Sequence, residues 1–247
     1  MTLPTSEVDV AGRLAEVRER LGAAARRAGR PADAVRLVAV TKGVTTDAIA
    51  AALDAGVSEL AESRAQELLA KVTELAGGHA RGHPERWPVW HFVGRIQRNK
   101  VTALAPVVAL WQSVDRTVIG EAIARRAPGA RVLVEVNVAG DPAKAGCRPE
   151  EAPALVDELR TAGLAVEGLM TVPRLGDDPR PAFSALRELG SRLGLPELSM
   201  GMSDDFEAAV EEGATIVRLG RAIFGSRVGP DNTGGRDPRP GAPSLQR

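Results

Sequence analysis

Lys42 directly follows the apolar run Leu37–Val40 and precedes Gly43, so its stem leaves a buried segment. If that segment is a strand, side-chain alternation puts Lys42 on the face of Val38 and Val40. Apolar surroundings disfavour an ammonium ion, and a free amine is what Schiff-base chemistry with an aldehyde requires. A lysine rooted at the rim of a core also snorkels readily to water, and position by itself weighs the two readings equally. A second cluster is Arg218-Leu-Gly220-Arg221-Ala-Ile-Phe-Gly225. Gly220 opens a short helix after a strand, and unhindered backbone N–H groups at such a start suit a phosphate. Alternation gives Arg218 the face of Ile216 and points it towards the same end as Gly220. A plain glycine turn is the ordinary alternative. The third cluster is Ser199-Met-Gly-Met202-Ser203-Asp-Asp-Phe-Glu207. Ser203 or Asp204 is placed to cap a helix, with Glu207 closing a capping box on Asp204. Capping accounts for the acids, but two serines and a glycine at one strand end also suit phosphate donors.

The remaining polar chemistry is sparse. His91 lies inside a strand and reads as a satisfied core histidine, while His79 and His83 fall in a polar loop over residues 77–86 and read as solvated. None has metal-ligand spacing with another or with Cys147, so no metal site is expected, and no Walker or dinucleotide motif is present. Met170, Met200 and Met202 read as packing residues.

The elements that must carry these groups follow from periodicity. Val10, Leu14, Val17 and Leu21 predict an amphipathic helix over residues 7–28, ended by Gly29 and Pro31. Strand candidates follow at 36–41, 57–62, 89–94, 107–112, 131–138, 164–171, 197–200 and 215–219. Helix candidates separate them at 46–55, 65–76, 97–104, 115–127, 150–162, 182–193 and 204–212, with Asp115 as the N-cap of the fourth. Strands alternating with helices predict an α/β fold with a parallel sheet. In this length the reading favoured over an open doubly wound sheet is a single (β/α)₈ TIM barrel with an extra N-terminal helix. A barrel's site lies at the C-terminal strand ends, here Lys42, Glu62, Gly94, Ser113, Asn137, Met170, Ser199 and Arg218. Glu62 and Asn137, taken singly, read as polar residues where strand ends meet solvent.

Bulk composition narrows the function. Acidic and basic residues balance at 32 each, which argues against nucleic acid and anionic membranes as partners. The one cysteine, the absence of a secretory layout at the N-terminus and the lack of an apolar run of about 20 residues point to the cytoplasm. Residues 1–228 read as one domain, and the Gly- and Pro-rich residues 229–247 as a disordered tail. There is no tyrosine, and only four of the basic residues are lysines: Lys42, Lys71, Lys100 and Lys144.

Over roughly residues 8–227 the sequence resembles the pyridoxal phosphate homeostasis protein family, the YggS or PROSC type. The resemblance rests on Leu37-Val-Ala-Val-Thr-Lys42, Trp90-His-Phe-Val-Gly94 with Gln97-x-Asn99-Lys100, and Asn137 with Lys144-x-Gly146. Gly168-Leu-Met170, Ser199–Ala209 and Val217–Gly225 complete it. It implies a fold-type III barrel like the N-terminal domain of alanine racemase, holding pyridoxal 5′-phosphate (PLP) as a Schiff base on Lys42. The phosphate cradle it implies is Ser203, Gly220 and the backbone at Arg221, with Arg218 near the pyridine nitrogen. Ser199, Met202 and Asn137 are counted with these as cofactor contacts. Two departures stand out: Arg221 replaces a threonine of the family, and Ala61-Glu62-Ser63 replaces Gly-Glu-Asn.

The function so implied is PLP binding and homeostasis in a monomeric protein without robust catalysis, with PLP-dependent apoenzymes as recipients. The rival is a fold-type III enzyme such as an amino-acid racemase. Racemisation needs acid/base groups on both faces of a carbanion. Alanine racemase takes one from a tyrosine in a second, C-terminal β domain; this sequence has no tyrosine, and no residues are expected to be left over for such a domain, so His91 or Cys147 would have to substitute.

Overall fold

The structure, a computed structural model, describes residues 9–81, 87–174 and 176–225. The proposed tail over 229–247 lies outside the described residues, as do residues 82–86 of the 77–86 loop, His83 among them.

Helix α1 (Val10–Arg27) buries Val10, Leu14, Val17 and Leu21 on one stripe, and the Asp9 side chain accepts the Gly12 N–H at its start. Eight strands follow: β1 (Arg36–Val40), β2 (Glu59–Glu62), β3 (Val89–Phe92), β4 (Val108–Val114), β5 (Arg131–Glu135), β6 (Ala165–Met170), β7 (Glu197–Ser199) and β8 (Ile216–Leu219). Between and after them run α2 (Thr46–Asp54), α3 (Ala65–Gly77), α4 (Val101–Leu104, preceded by a 3-10 turn), α5 (Thr117–Ala124), α6 (Ala152–Thr161), α7 (Arg180–Leu193), α8 (Phe206–Glu211) and α9 (Arg221–Phe224). The strands pair in sequence order, all parallel, and β1 closes on β8, so the sheet is a closed barrel. The extra helix has a structural task. The four-residue α9 is too short to cover its side of the barrel, and α1 packs there, touching α8, α9 and α2.

Alternation decides which residues enter the lumen. Val38, Ala61, Leu110, Leu133, Met170 and Ile216 form a small inner cluster, while Trp90, Trp111, Leu198 and Val217 face the helices. The same alternation turns Glu59, His91, Gln112, Glu135, Ser199 and Arg218 inward. Opposite charges close the N-terminal end of the cylinder: Arg36 meets Glu59 and Glu197, and Arg131 meets Glu167.

Two capping expectations fail. Helix α5 begins after Arg116 with no side-chain cap, because Asp115 instead pairs with the Arg116 guanidinium. Helix α8 begins after Asp205, not Ser203 or Asp204. The Asp205 carboxylate accepts the Met202 N–H, Glu207 turns to Arg20 on α1, and no capping box forms.

Candidate functional site

A cavity of about 920 Å³ opens at the C-terminal mouth of the barrel. Its lining includes Val40 at the end of β1, Val93 after β3, Val172 after β6, and Met202, Ser203, Arg218, Gly220 and Arg221 from the β7 and β8 ends. Five of the eight residues singled out in the sequence therefore share one wall. This size and mixed lining suit a small-molecule site.

Arg218 is the central cation. It is 5 % exposed, and its guanidinium donates to Ser199 Oγ at 2.7 Å and to the Thr171 carbonyl at 2.9 Å. Burial pushes its pKa down to about 10, against the opposing pull of Glu135 and Asp205, so it stays charged at neutral pH. Ser199 is fully buried beneath it and does not line the cavity.

Gly220 precedes α9, and a side chain there would press on the Val40 carbonyl at 3.3 Å. The Ser203 hydroxyl oxygen accepts the Ala222 N–H at 3.1 Å, which leaves the hydroxyl hydrogen for another acceptor. Arg221, where the family pattern has threonine, directs its guanidinium to Asp204. Gly201 turns the chain from β7 into this region at φ +95°, and a Cβ there would meet Ala209 Cβ at 2.6 Å.

Lys42 lies two residues beyond β1 and is half-buried; Val40, on the same face, lines the cavity, whereas Lys42 does not. Among the described residues its ammonium makes no hydrogen bond or ion pair. The backbone on either side is held firmly. Lys71 on α3 donates to the Thr41 carbonyl, to Glu62 at 2.8 Å and to Glu67 at 2.7 Å, and Glu67 accepts the Gly43 N–H. Burial pushes the Glu67 carboxyl up, but Lys71, the Gly43 N–H and Arg64 outweigh it and hold it below the usual range. Glu62, expected at a solvent-facing strand end, is fully buried in this knot. Desolvating a carboxylate is costly, and it is tolerated here because an ammonium and the Thr41 hydroxyl both reach it.

Asn137 is turned away from the cavity. Its amide bonds to the Asp141 backbone and closes its own loop. Lys144, not singled out as a site residue, lines the mouth and donates to the Val172 and Pro173 carbonyls. Its spacing from Asn137 was visible, but nothing in the sequence told which way that loop folds. His79 also departs from expectation: its side chain is mostly buried and faces Asp54 at 3.7 Å. The two candidates for a second acid/base group lie elsewhere. His91 is 1 % exposed in the lumen between Gln112 and Glu59. Burial, with help from Glu151, pushes the Cys147 thiol up to about 12. Among the described residues there is no cluster of metal-ligating side chains and no helix long and apolar enough to cross a membrane.

Comparison with known proteins places this architecture. Residues 13–228 match the family described as alanine racemase, N-terminal domain. The pyridoxal phosphate homeostasis protein of Aquifex aeolicus strain VF5 is 40% identical over 229 residues, covering 87% of this chain and 97% of the relative. A crystal structure of an unknown protein from Bifidobacterium adolescentis superposes with a TM-score of 0.80 at 38% identity, covering 87% of this chain and 94% of that one. PipY of Synechococcus elongatus PCC7942, solved with PLP bound, gives a TM-score of 0.73 at 30% identity, covering 88% of this chain and all of PipY, 100%.

Proposed function

The chain belongs to the alanine racemase N-terminal domain family and, within it, to the pyridoxal phosphate homeostasis proteins, and from that premise we propose that it binds PLP with Lys42 as the covalent anchor. The observation that carries the reading is Arg218, a buried cation in the wall of a cavity that also holds Ser203, Gly220 and Arg221.

The residues present fit the group. A phosphate requires hydrogen-bond donors and positive charge without side-chain bulk. The Ser203 hydroxyl, the backbone at Arg221 and the space left by Gly220 supply the donors and the room, and the Arg221 guanidinium adds charge. When bound, PLP supplies an aldehyde for condensation with an amine and a ring that withdraws electrons. Lys42 supplies the amine, and among the described residues nothing engages its ammonium, whereas those of Lys71 and Lys144 are engaged by carboxylates and carbonyls. Arg218 would face the pyridine nitrogen and, as a fixed cation, discourage protonation there, which weakens the ring as an electron sink. That property suits holding the cofactor better than using it. The placement of His91 and Cys147 away from the cavity also supports a holder over a racemase. We extend the reading to a monomeric cytoplasmic protein that limits the free aldehyde and passes it to PLP-dependent apoenzymes.

The test is direct. Protein mixed with PLP should turn yellow, and borohydride should then fix a pyridoxyl group on the peptide containing Lys42. Lys42→Ala should abolish both the colour and the label. A label that stays in place on another lysine, with the visible band unchanged, would refute the assignment.

A further inference from the structure

The barrel lumen holds a polar group that the proposed function does not use: His91, 1 % exposed, between Gln112 and Glu59. We infer that Gln112 and His91 are positioning residues, the middle links of a one-directional chain of hydrogen bonds that runs from Arg218 through the lumen to Glu59 and fixes the Arg218 guanidinium. The inference rests on the reading above only in what Arg218 faces; the chain itself needs no ligand.

Its direction follows from donor chemistry. A guanidinium only donates, so Ser199 Oγ must accept from Arg218 at 2.7 Å. The Ser199 hydrogen then needs an acceptor, and Gln112 Oε1 stands 2.6 Å away. That orients the Gln112 amide, leaving its NH₂ group 2.7 Å from His91 Nδ1. An amide nitrogen cannot accept, so Nδ1 is unprotonated and the ring proton sits on Nε2. His91 Nε2 lies 3.1 Å from Glu59 Oε2, a buried oxygen with no other hydrogen-bond partner settled among the described residues, so this contact is the one from which it can draw a donor; Arg36 approaches only to 3.7 Å. The far end supports the same direction: Glu59 obtains its donor only if Nε2 carries the hydrogen. Reversing the Gln112 amide would strand the Ser199 hydrogen, and it would need a proton on Nδ1, which either leaves Glu59 facing a lone pair or makes the buried ring a doubly protonated cation.

Every link therefore donates towards Glu59, with a cation at one end and an anion at the other. Chains aligned in this way polarise one another, and each bond strengthens its neighbours. Gln112 and Ser199 are fully buried, so water cannot replace a missing link.

Long-range ¹H–¹⁵N NMR of the ligand-free protein reads the ring nitrogens of its three histidines. The His91 set is the one lost in His91→Gln. A single proton on Nε2 is expected; a proton on Nδ1, alone or with one on Nε2, overturns the chain. PLP titration tests the positioning role. Gln112→Met and His91→Leu should each weaken binding about 3- to 10-fold, the worth of roughly one buried hydrogen bond. His91→Gln, which keeps a donor and an acceptor, should stay within about twofold. Unchanged affinity in Gln112→Met, or equal loss in His91→Gln and His91→Leu, overturns the role. If the unaltered protein binds no PLP, the functional reading fails, and the chain is still judged by the NMR result.

Discussion

Glu135 shows how a single side chain can set a pH dependence. It points into the lumen from β5, where burial and the charge of Asp115 push its carboxyl up to about 7, against the pull of Arg218. The folded protein therefore holds that proton more tightly than the unfolded chain, whose carboxyl has an ordinary value near 4.5. The sign follows: folding stability attributable to this group falls as pH rises between those two values. Glu135→Gln should stabilise the protein by on the order of 1–3 kcal/mol at about pH 8 and have almost no effect near pH 4. Urea midpoints at the two pH values check this, and equal gains at both would contradict it. Burial shifts Cys147 in the same direction: a thiol raised to about 12 stays protonated and acts as a small packing residue.

At the scale of elements, the Lys71 knot ties α3 to the ends of β1 and β2. Lys71→Ala leaves the buried Glu62 carboxylate without its counter-ion, and the expected cost is about 3–5 kcal/mol in chemical denaturation. Pairing Lys71→Met with Glu62→Gln should recover part of that loss; a single variant as stable as the parent would show that the knot is dispensable. The knot was not legible in the sequence, because Lys71 is one polar residue on an amphipathic helix and nothing local says that it faces a strand end. The strands and helices themselves were legible. Short continuous apolar runs such as Leu37–Val40 and Val132–Val134 suit strands covered on both faces, as in a parallel α/β fold. The inward turn of Arg218 was legible for the same reason, since alternation from Ile216 fixed its face. Caps were read least well. Asp115, Asp204 and Glu207 each found a long-range or neighbouring arginine that competed with the helix terminus, and local spacing carries no record of such partners.

For the whole molecule, the ion pairs of Arg36, Glu59, Glu197, Arg131 and Glu167 close one end of the cylinder, and the cavity opens at the other. A ligand that binds only the folded form must raise its stability. PLP at about 100 times its dissociation constant should add roughly 2.7 kcal/mol to unfolding. Pyridoxine, which lacks both the phosphate and the aldehyde, should add little at the same concentration; equal shifts for the two would place binding outside the proposed cradle. The pairing of β1 with β8 carries a last consequence. The amine proposed as the anchor emerges from the ribosome early, and the arginine and glycine that would steady its guest emerge near the finish. On that proposal a half-made copy would touch the vitamin with nothing to grip it, and retention would begin only when the cylinder's first stave meets its last.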